Sequence, residues 1–189
     1  GSEMCIRDRY GFARAFSGKN CFGADAIRWL DKNLFGRGLE AGAVSLYFLP
    51  LGEPTCPTPD NVRFVFLEKE SLPPFYLPQW SNALCEERKS LDVFAVAALC
   101  GGLTAGLAGA SCDCSDMLQI GVDVLPAFRG RGLGAALTSR LAACIRAAGK
   151  TAFYCCEAGN LPSIKTALRS GFRPTATRLS AQKQKPDAF

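Results

Sequence analysis

A loop rich in glycine and arginine joins two segments of different periodicity, and this loop constrains the fold more than any other feature. Residues 117–124 alternate as a strand does, residues 133–148 have the spacing of an amphipathic helix, and Arg129 and Arg131 lie between them among several glycines. Glycine lets backbone N–H groups approach a ligand closely, and the start of a helix carries partial positive charge. The pattern therefore predicts a phosphate-binding loop at the start of the helix.

Two other phosphate-binding motifs and a simple turn compete for this loop. A Walker A loop requires Gly-Lys-Ser/Thr, which is absent here. Gly130-x-Gly132-x-x-Ala135 has the form of a Rossmann fingerprint, and Glu157 lies at a suitable distance for a ribose contact. However, the four residues of 126–129 separate the strand from the first glycine, and the 32 residues after Glu157 are too few for the rest of a Rossmann sheet. A glycine-rich turn without a ligand remains the simplest alternative.

Basic side chains are concentrated in the second part of the chain. Residues 1–120 carry 11 basic and 14 acidic side chains, whereas residues 121–189 carry 11 basic and 3 acidic ones. Residues 126–150 contain five basic residues and no acidic one. A positive region of this kind suits a cofactor with several phosphates. Nucleic acid is the alternative partner, and a solvated surface is the simplest explanation.

The cysteines and one long uncharged stretch bear on location and metals. The ten cysteines follow no regular spacing, form no Cys-x-x-Cys pair and are accompanied by no histidine. We therefore predict free thiols, no metal site and a cytoplasmic location. Residues 93–112 carry no charge, but their glycines and the flanking Asp92 and Asp113 indicate two strands that turn at Gly101-Gly102, and not a membrane span.

Composition along the chain suggests three parts. Residues 1–10 resemble a translated sequencing-adapter fragment, and we exclude them from the fold argument. Residues 11–60 are predicted to be an N-terminal extension, truncated if residues 1–10 are an artefact, with a proline-rich linker over 49–60. Residues 61–189 are predicted to form the main domain. The elements predicted from periodicity are helices over 22–35, 77–88, 133–148 and 161–170, and strands over 44–49, 62–67, 93–100, 103–110, 117–124 and 151–156, with a last extended segment from Phe172.

Two motifs lie in the second part of the chain, each where a strand-like run meets a helix-like run. They are Arg129-x-x-Gly132-x-Gly134, behind Val124-x-Pro126, and Asn160-x-x-Ser163, followed by Gly171-Phe172. With the order of elements over residues 62–175, they resemble the acyl-CoA N-acyltransferases of the GNAT superfamily. The resemblance implies an α/β (α+β) fold, with a mixed, mostly antiparallel sheet flanked by helices and splayed between the strands at 117–124 and 151–156.

The resemblance also implies a reaction and a set of binding residues. The expected function is N-acetyl transfer from acetyl-CoA, as co-substrate and without a metal, to a primary amine of a small molecule or peptide. We expect no nucleic-acid or membrane partner, and a monomer or homodimer. The residues that the resemblance assigns to the cofactor are Val122, Val124, Arg129, Gly130, Arg131, Gly132, Leu133, Gly134, Ala135, Asn160 and Ser163.

The catalytic residues are less well defined, because the sequence departs from the family at one position. Many members carry a tyrosine seven residues after the asparagine, as the acid that protonates the departing thiolate, and here Ala167 is found. We expect Ser163 or a water to deliver this proton and Glu157 to act as the base, with Asp123 as the second choice. A surface role for Glu157 and a helix N-cap role for Asn160 are the alternatives. A catalytically degenerate acyl-CoA-binding domain is the alternative function.

One segment that the resemblance assigns to the acceptor side combines aromatic and acidic residues, namely Phe75, Tyr76, Trp80, Glu86 and Glu87. Such a wall would suit a cationic amine. An amphipathic helix with a packed aromatic face and a solvated charged end is the alternative.

Overall fold

The computed structural model describes residues 14–53 and 56–183, so the predicted artefactual segment 1–10 lies outside the described residues. Three helices have both ends within the described residues, namely α1 (Ala24–Phe35), α2 (Leu133–Ala147) and α3 (Leu161–Arg169). The strands are β1 (Leu39–Pro50), β2 (Val62–Glu68), β3 (Asp92–Cys100), β4 (Leu103–Ser111), β5 (Met117–Val124), β6 (Thr151–Glu157) and β7 (Phe172–Lys183). Short 3₁₀ turns lie at Lys69–Ser71, Pro73–Phe75, Pro78–Trp80, Glu86–Arg88 and Pro126–Phe128.

The strands form one seven-stranded sheet in the order β2-β3-β4-β5-β6-β1-β7. Antiparallel pairing joins β2 to β3, β3 to β4 and β4 to β5, whereas β5 and β6 pair in parallel. The helical crossover through α2 accounts for this parallel pair, because parallel neighbours need a long connection. The predicted mixed, mostly antiparallel sheet with flanking helices is confirmed. Strand β1 extends well beyond the predicted 44–49.

The chain divides into two compact units, one of residues 46–177 and one of residues 1–45 with 178–189. The described part of the smaller unit contains α1, which ends at Gly36 as predicted. Within this unit Phe16 and Trp29 pack edge to face with ring centroids 6.1 Å apart, and the Asp31 carboxylate accepts a 2.6 Å hydrogen bond from the Ala41 N–H. The extension over 11–60 and its linker remain predictions.

Apolar clusters cover both faces of the central strands. On one face, α2 buries a stripe at helical spacing against the sheet, formed by Leu133, Leu137, Leu141 and Ile145. On the other face, a second cluster contains Leu72, Trp80, Leu84 and Leu107. Strands buried on both faces have little need of polar residues, which explains why residues 93–112 carry no charge.

These uncharged residues form the predicted hairpin of β3 and β4. Gly101 and Gly102 turn with φ of 56° and 85°, the left-handed values that a two-residue type I′ turn requires. Nowhere in residues 14–53 and 56–183 does a helix have the length and apolar character needed to cross a membrane.

The helix predicted over residues 77–88 is wrong. Two short 3₁₀ turns, Pro78–Trp80 and Glu86–Arg88, take its place. Pro78 has no N–H to donate, and the N–H groups of Asn82 and Ala83 donate to the Asp123 carboxylate at 2.8 and 2.9 Å. Because the amides that would continue a helix are bound by a side chain of the sheet, periodicity alone gives the wrong element here.

Two glycines let this segment lie directly on the sheet. An ideal Cβ at Gly109 would lie 2.1 Å from the Ala83 carbonyl oxygen, and one at Gly121 would lie 1.9 Å from the Asn82 carbonyl oxygen. Any larger residue at either position would push the segment away from the sheet. We call residues 80–84 the clamped segment, because the Asp123 carboxylate holds it at this point.

Candidate active site

The candidate site is a cleft that opens where β5 and β6 separate. The two strands pair in parallel from Met117 and Thr151 as far as Ile120 and Tyr154. Both strands then continue, β5 to Val124 and β6 to Glu157, without further pairing to each other in the described part of the chain. The cleft between these ends has a volume of about 800 Å³. The splay predicted between residues 117–124 and 151–156 is therefore present.

The N-terminus of α2 lies at this cleft with its first amides uncapped. Gly132 is the N-cap in the left-handed region at φ 81°, and no side chain of the described residues caps the helix. Within the described residues, the N–H groups of Leu133, Gly134 and Ala135 have no hydrogen-bond partner. Unpaired amides at a helix start are favourable ligands for an anion. The local sequence explains the geometry, because only glycine adopts this φ without strain.

The backbone of β5 presents polar groups to the open side. The Leu125 N–H donates to the Ala105 carbonyl of β4 at 2.9 Å. N–H and C=O groups alternate between the two neighbours of a strand, so those of Val122 and Val124 face the cleft. The Val124 carbonyl accepts a 2.9 Å hydrogen bond from Nε of Arg129, which fixes the start of the loop.

The first turn of α3 forms the opposite wall. Oδ1 of Asn160 accepts a 3.1 Å hydrogen bond from the Ser163 N–H, so Asn160 is the N-cap of this helix. Oγ of Ser163 lies 2.7 Å from Oη of Tyr154, on β6. Helices α2 and α3 approach closely, since a Cβ at Gly134 would lie 3.6 Å from the Thr166 side chain.

Tyr154 was not among the residues selected from the sequence. Its side chain is only 4% exposed and belongs to the same apolar cluster as Ala167. Burial raises the pKa of the Tyr154 phenol, although the hydrogen bond with Ser163 acts in the opposite direction. Burial likewise raises the pKa of the neighbouring Cys156 thiol, against a hydrogen bond from Ser163. A polar residue at an inward position of a buried strand was the signal that could have revealed Tyr154.

The two carboxylates near the cleft differ in their surroundings. Asp123 lies on the face opposite Val122 and Val124, where its Oδ1 accepts a 2.7 Å hydrogen bond from Nδ2 of Asn82 in addition to the backbone N–H groups of the clamped segment. Glu157 lines the cleft, is exposed, and its carboxylate has no hydrogen-bond or ion-pair partner within the described residues. Asp123 therefore has a clear structural role, and Glu157 is the carboxylate that is free to act on a ligand.

The aromatic and acidic residues considered for the acceptor have other partners. Trp80 is buried in the second apolar cluster, and Phe75 and Tyr76 pack against that cluster. Oη of Tyr76 donates a 3.0 Å hydrogen bond to the buried Asp92. Glu86 pairs with Lys89, and the Cys85 thiol donates to Glu87. These contacts support the structural explanation of the segment.

The structure brings nearly all predicted site residues to one cleft. The predicted residues that line it are Val122, Val124, Arg129, Gly130, Gly132, Leu133, Gly134, Ala135, Glu157, Asn160 and Ser163. Arg131 is exposed and does not line the cleft. Lys165 and Arg169 of α3 line it and were not predicted. In the described ranges, no three His, Cys, Asp or Glu side chains come together as a metal-binding group, and the cysteines are free thiols.

Comparison with known proteins agrees with this architecture. Residues 105–179 match the model of the family described as FR47-like protein. No curated protein matches the sequence significantly.

Several solved structures share the fold. A GCN5-related N-acetyltransferase from Kribbella flavida superposes with a TM-score of 0.64 at 18% identity, over 84% of this chain and 65% of that one. A GCN5-related N-acetyltransferase-like protein from Streptococcus suis superposes with a TM-score of 0.56 at 17% identity, over 94% of this chain and 76% of that one. An acetyltransferase of the GNAT family from Colwellia psychrerythraea superposes with a TM-score of 0.56 at 13% identity, over 86% of this chain and 73% of that one.

The chain thus spans about two thirds to three quarters of the length of these solved chains. At such identities the similarity establishes the fold. Residues 105–179 therefore resemble the FR47-like family, and the chain shares the fold of these solved GNAT-family structures.

Proposed function

We propose that this protein transfers an acetyl group from acetyl-CoA to a primary amine of a small molecule or peptide. One observation carries the proposal: the uncapped amides at the start of α2 lie at the cleft between the separated ends of β5 and β6. A phosphorylated ligand with a long, narrow arm fits such a combination. The amides take the charged end, and the gap between the strands takes the arm.

The residues around the cleft suggest how acetyl-CoA would bind. The amides of Gly130 to Ala135 would hold the pyrophosphate, with charge from Arg129 and Arg131. The cleft-facing backbone groups of Val122 and Val124 would pair with the amides of the pantetheine arm. Asn160 and Ser163 would border the thioester end. Lys165 and Arg169 add positive charge beside the cleft, which suits the phosphates further.

The transfer step requires a neutral amine and a place for negative charge. The amine nitrogen attacks the thioester carbonyl, and backbone N–H groups of β5 stabilise the oxyanion that forms. Removal of the ammonium proton before attack falls to Glu157, the exposed cleft carboxylate that has no partner among the described residues. In Glu157→Gln, the pH–rate profile with any accepted amine should lose the limb that reports this base. If that limb and the turnover match those of the parent protein, the amine attacks in its already neutral form.

Binding and turnover together test the proposal. Isothermal titration should detect acetyl-CoA binding, and the release of free thiol should depend on an amine from a panel of amino acids, polyamines, aminoglycosides and peptides. Binding without turnover for every amine would favour a catalytically degenerate acyl-CoA-binding domain, an alternative that the alanine at position 167 supports. Absence of binding would contradict both functions. Duplex oligonucleotides would then be tested as ligands of the basic region, residues 121–189.

Gly134 offers a matched pair of variants for the phosphate site. A Cβ at this position meets its neighbours at 3.6 to 3.7 Å, which is ordinary contact, so Gly134→Ala should keep both the fold and the affinity. Gly134→Leu extends a side chain toward Thr166 and Val124 and should abolish acetyl-CoA binding while circular dichroism stays unchanged. Equal affinities of a folded Gly134→Leu variant and the parent would contradict the pyrophosphate assignment.

The charge of Arg131 can be tested by its dependence on salt. Arg131→Ala should weaken acetyl-CoA binding more at low ionic strength than at high ionic strength, because salt already screens an exposed charge. Arg131 suits this test because no hydrogen bond or ion pair within the described residues involves its side chain, unlike that of Arg129. A loss of affinity that does not change with salt would mean that Arg131 acts other than by charge.

A further inference from the structure

Two hydroxyl groups meet inside the cleft, behind the position proposed for the thioester. Tyr154 lies on β6 between the rings of Phe48 and Phe172, with centroid distances of 6.3 Å to each. Its Oη is 2.7 Å from Oγ of Ser163, and both residues line the cleft. The phenol is nearly fully buried, whereas Ser163 is half-buried, so Ser163 is the member of the pair with greater access to a ligand.

The proton count of this pair leaves one donor available. Each hydroxyl has one hydrogen, and a single hydrogen lies between the two oxygens. The geometry allows either oxygen to donate; because a phenol is more acidic than an alcohol, we assign the shared hydrogen to the neutral Tyr154 phenol. The hydrogen of Ser163 is then directed away from Tyr154, and Ser163 lines the cleft. The hydroxyl of Ser163 is therefore suited to donate to a sulfur atom in the cleft.

We propose that Ser163 donates a hydrogen bond to the sulfur of the departing coenzyme A, and that Tyr154 is the positioning residue that orients and polarises the Ser163 hydroxyl. This inference rests on the proposed function. It assigns a role to a tyrosine of the sheet, whereas position 167 on α3 offers only a fully buried alanine.

The chemistry requires a hydrogen bond and no proton transfer at this step. When the tetrahedral intermediate collapses, the C–S bond breaks, its electron pair goes to sulfur, and the C=O bond of the amide re-forms. The conjugate acid of a free thiolate has a pKa of ~8.5, well below the pKa of a phenol at ~10. The thiolate therefore cannot keep a proton taken from either hydroxyl. Burial raises the pKa of Tyr154, which holds its proton in place. The thiolate takes its proton from solvent after it leaves, and the proton lost by the amine returns to solvent.

Binding of coenzyme A and of desulfo-coenzyme A at two pH values tests this without any turnover. A hydrogen-bond donor favours the thiolate over the thiol, so in the parent protein the affinity ratio of coenzyme A to its desulfo analogue should rise about tenfold from pH 7 to pH 9.5. The rise should fall below about twofold in Tyr154→Phe and in Ser163→Ala, and Ser163→Thr should retain it. Equal rises in the parent, in Tyr154→Phe and in Ser163→Ala would overturn the proposal.

Kinetics supply the second readout. Tyr154→Phe should lower kcat about tenfold with little change in the KM for acetyl-CoA, because the charge on sulfur forms only in the transition state. The double variant with Ser163→Ala should be no slower than Ser163→Ala alone, since Tyr154 acts through Ser163. Tyr47→Phe, which keeps the ring that stacks on Phe153, is the control and should retain its kcat.

The outcomes separate this inference from the function on which it rests. If neither coenzyme A nor its desulfo analogue binds, the proposed function fails and the inference fails with it. If both bind and acetyl transfer occurs, but Tyr154→Phe keeps its kcat and its pH-dependent affinity ratio, only the role of Tyr154 is overturned. Circular dichroism and thermal unfolding of each variant identify losses caused by misfolding, and whichever of Tyr154→Phe and Ser163→Ala folds carries the binding test.

Discussion

Gly121→Ala is expected to destabilise the protein by forcing the clamped segment away from the sheet. An added Cβ would lie 1.9 Å from the Asn82 carbonyl oxygen, where real contacts do not fall below 3.0 Å. The segment must therefore retreat by about 1 Å, since its backbone is the obstacle and a backbone cannot rotate away as a flexible side chain can.

The size of the effect follows from the hydrogen bonds that such a shift would break. Asp123 accepts three from the clamped segment, at 2.7 to 2.9 Å, and a retreat of about 1 Å takes all of them beyond hydrogen-bond distance. Each hydrogen bond contributes about 0.5 to 1.5 kcal/mol to stability. Alanine in place of glycine offsets about 0.4 to 1 kcal/mol of the loss, because it reduces the conformational entropy of the unfolded chain. We expect the free energy of unfolding to fall by about 2 to 3 kcal/mol.

Urea unfolding measures this loss, and Gly36→Ala is the matched control. Gly36 has a φ of −64° and open space around its Cβ position, so alanine there should change stability by less than about 1 kcal/mol. A Gly121→Ala variant within about 0.5 kcal/mol of the parent would refute the reasoning.

A double-mutant cycle with Asp123→Ala tests the mechanism itself. The two changes remove the same hydrogen bonds, so together they should cost clearly less than the sum of their separate effects. Additive losses would mean that the steric contact and the carboxylate act independently.

Three further predictions follow from buried and strained positions. Burial raises the pKa of Asp92, so the parent should gain stability relative to Asp92→Asn as the pH falls below this raised pKa, and the gain should be complete below pH ~4. Urea unfolding of both proteins at several pH values measures this gain. A stability difference that does not change with pH would contradict the prediction. Gly102→Ala should cost about 1 kcal/mol, because φ is 85° there although the space is open, and an unchanged thermal midpoint would count against the type I′ turn. Iodoacetamide at pH 8 should label the exposed Cys114 before Cys156, whose pKa burial raises, and mass spectrometry of the digested protein would expose the reverse order.

Periodicity and turn chemistry predicted the elements that form the cleft. Helix α2, the hairpin at Gly101-Gly102 and the parallel placement of β6 each follow from local rules, because their apolar stripes and glycines act within one element or between neighbours. The separation of β5 and β6 came from the resemblance carried by two motifs. Such features are visible in sequence, since few residues determine each of them.

What the sequence did not reveal depends on partners distant along the chain. The clamped segment loses its helix because Asp123, 40 residues later, takes the Ala83 N–H. The small size of Gly121 matters only because Asn82 crosses above it. Tyr154 meets Ser163 only after β6 and α3 have packed. No periodicity within one element reports such pairs, so they were missed or misassigned.

The polar groups of the cleft are strongly biased toward donors. The first-turn amides of α2, the cleft-facing N–H groups of β5 and the hydroxyl of Ser163 all present hydrogen. Asp123 has its oxygens occupied, whereas the Glu157 carboxylate has no partner in the part of the chain that the structure describes. Under the proposed function, this bias suits the three places where negative charge resides or develops, namely the pyrophosphate, the oxyanion and the departing thiolate. It offers little to an ammonium group. An acceptor amine must therefore lose its proton to Glu157 or to solvent before it reaches the thioester, and its own pKa then sets the rate of the reaction at neutral pH.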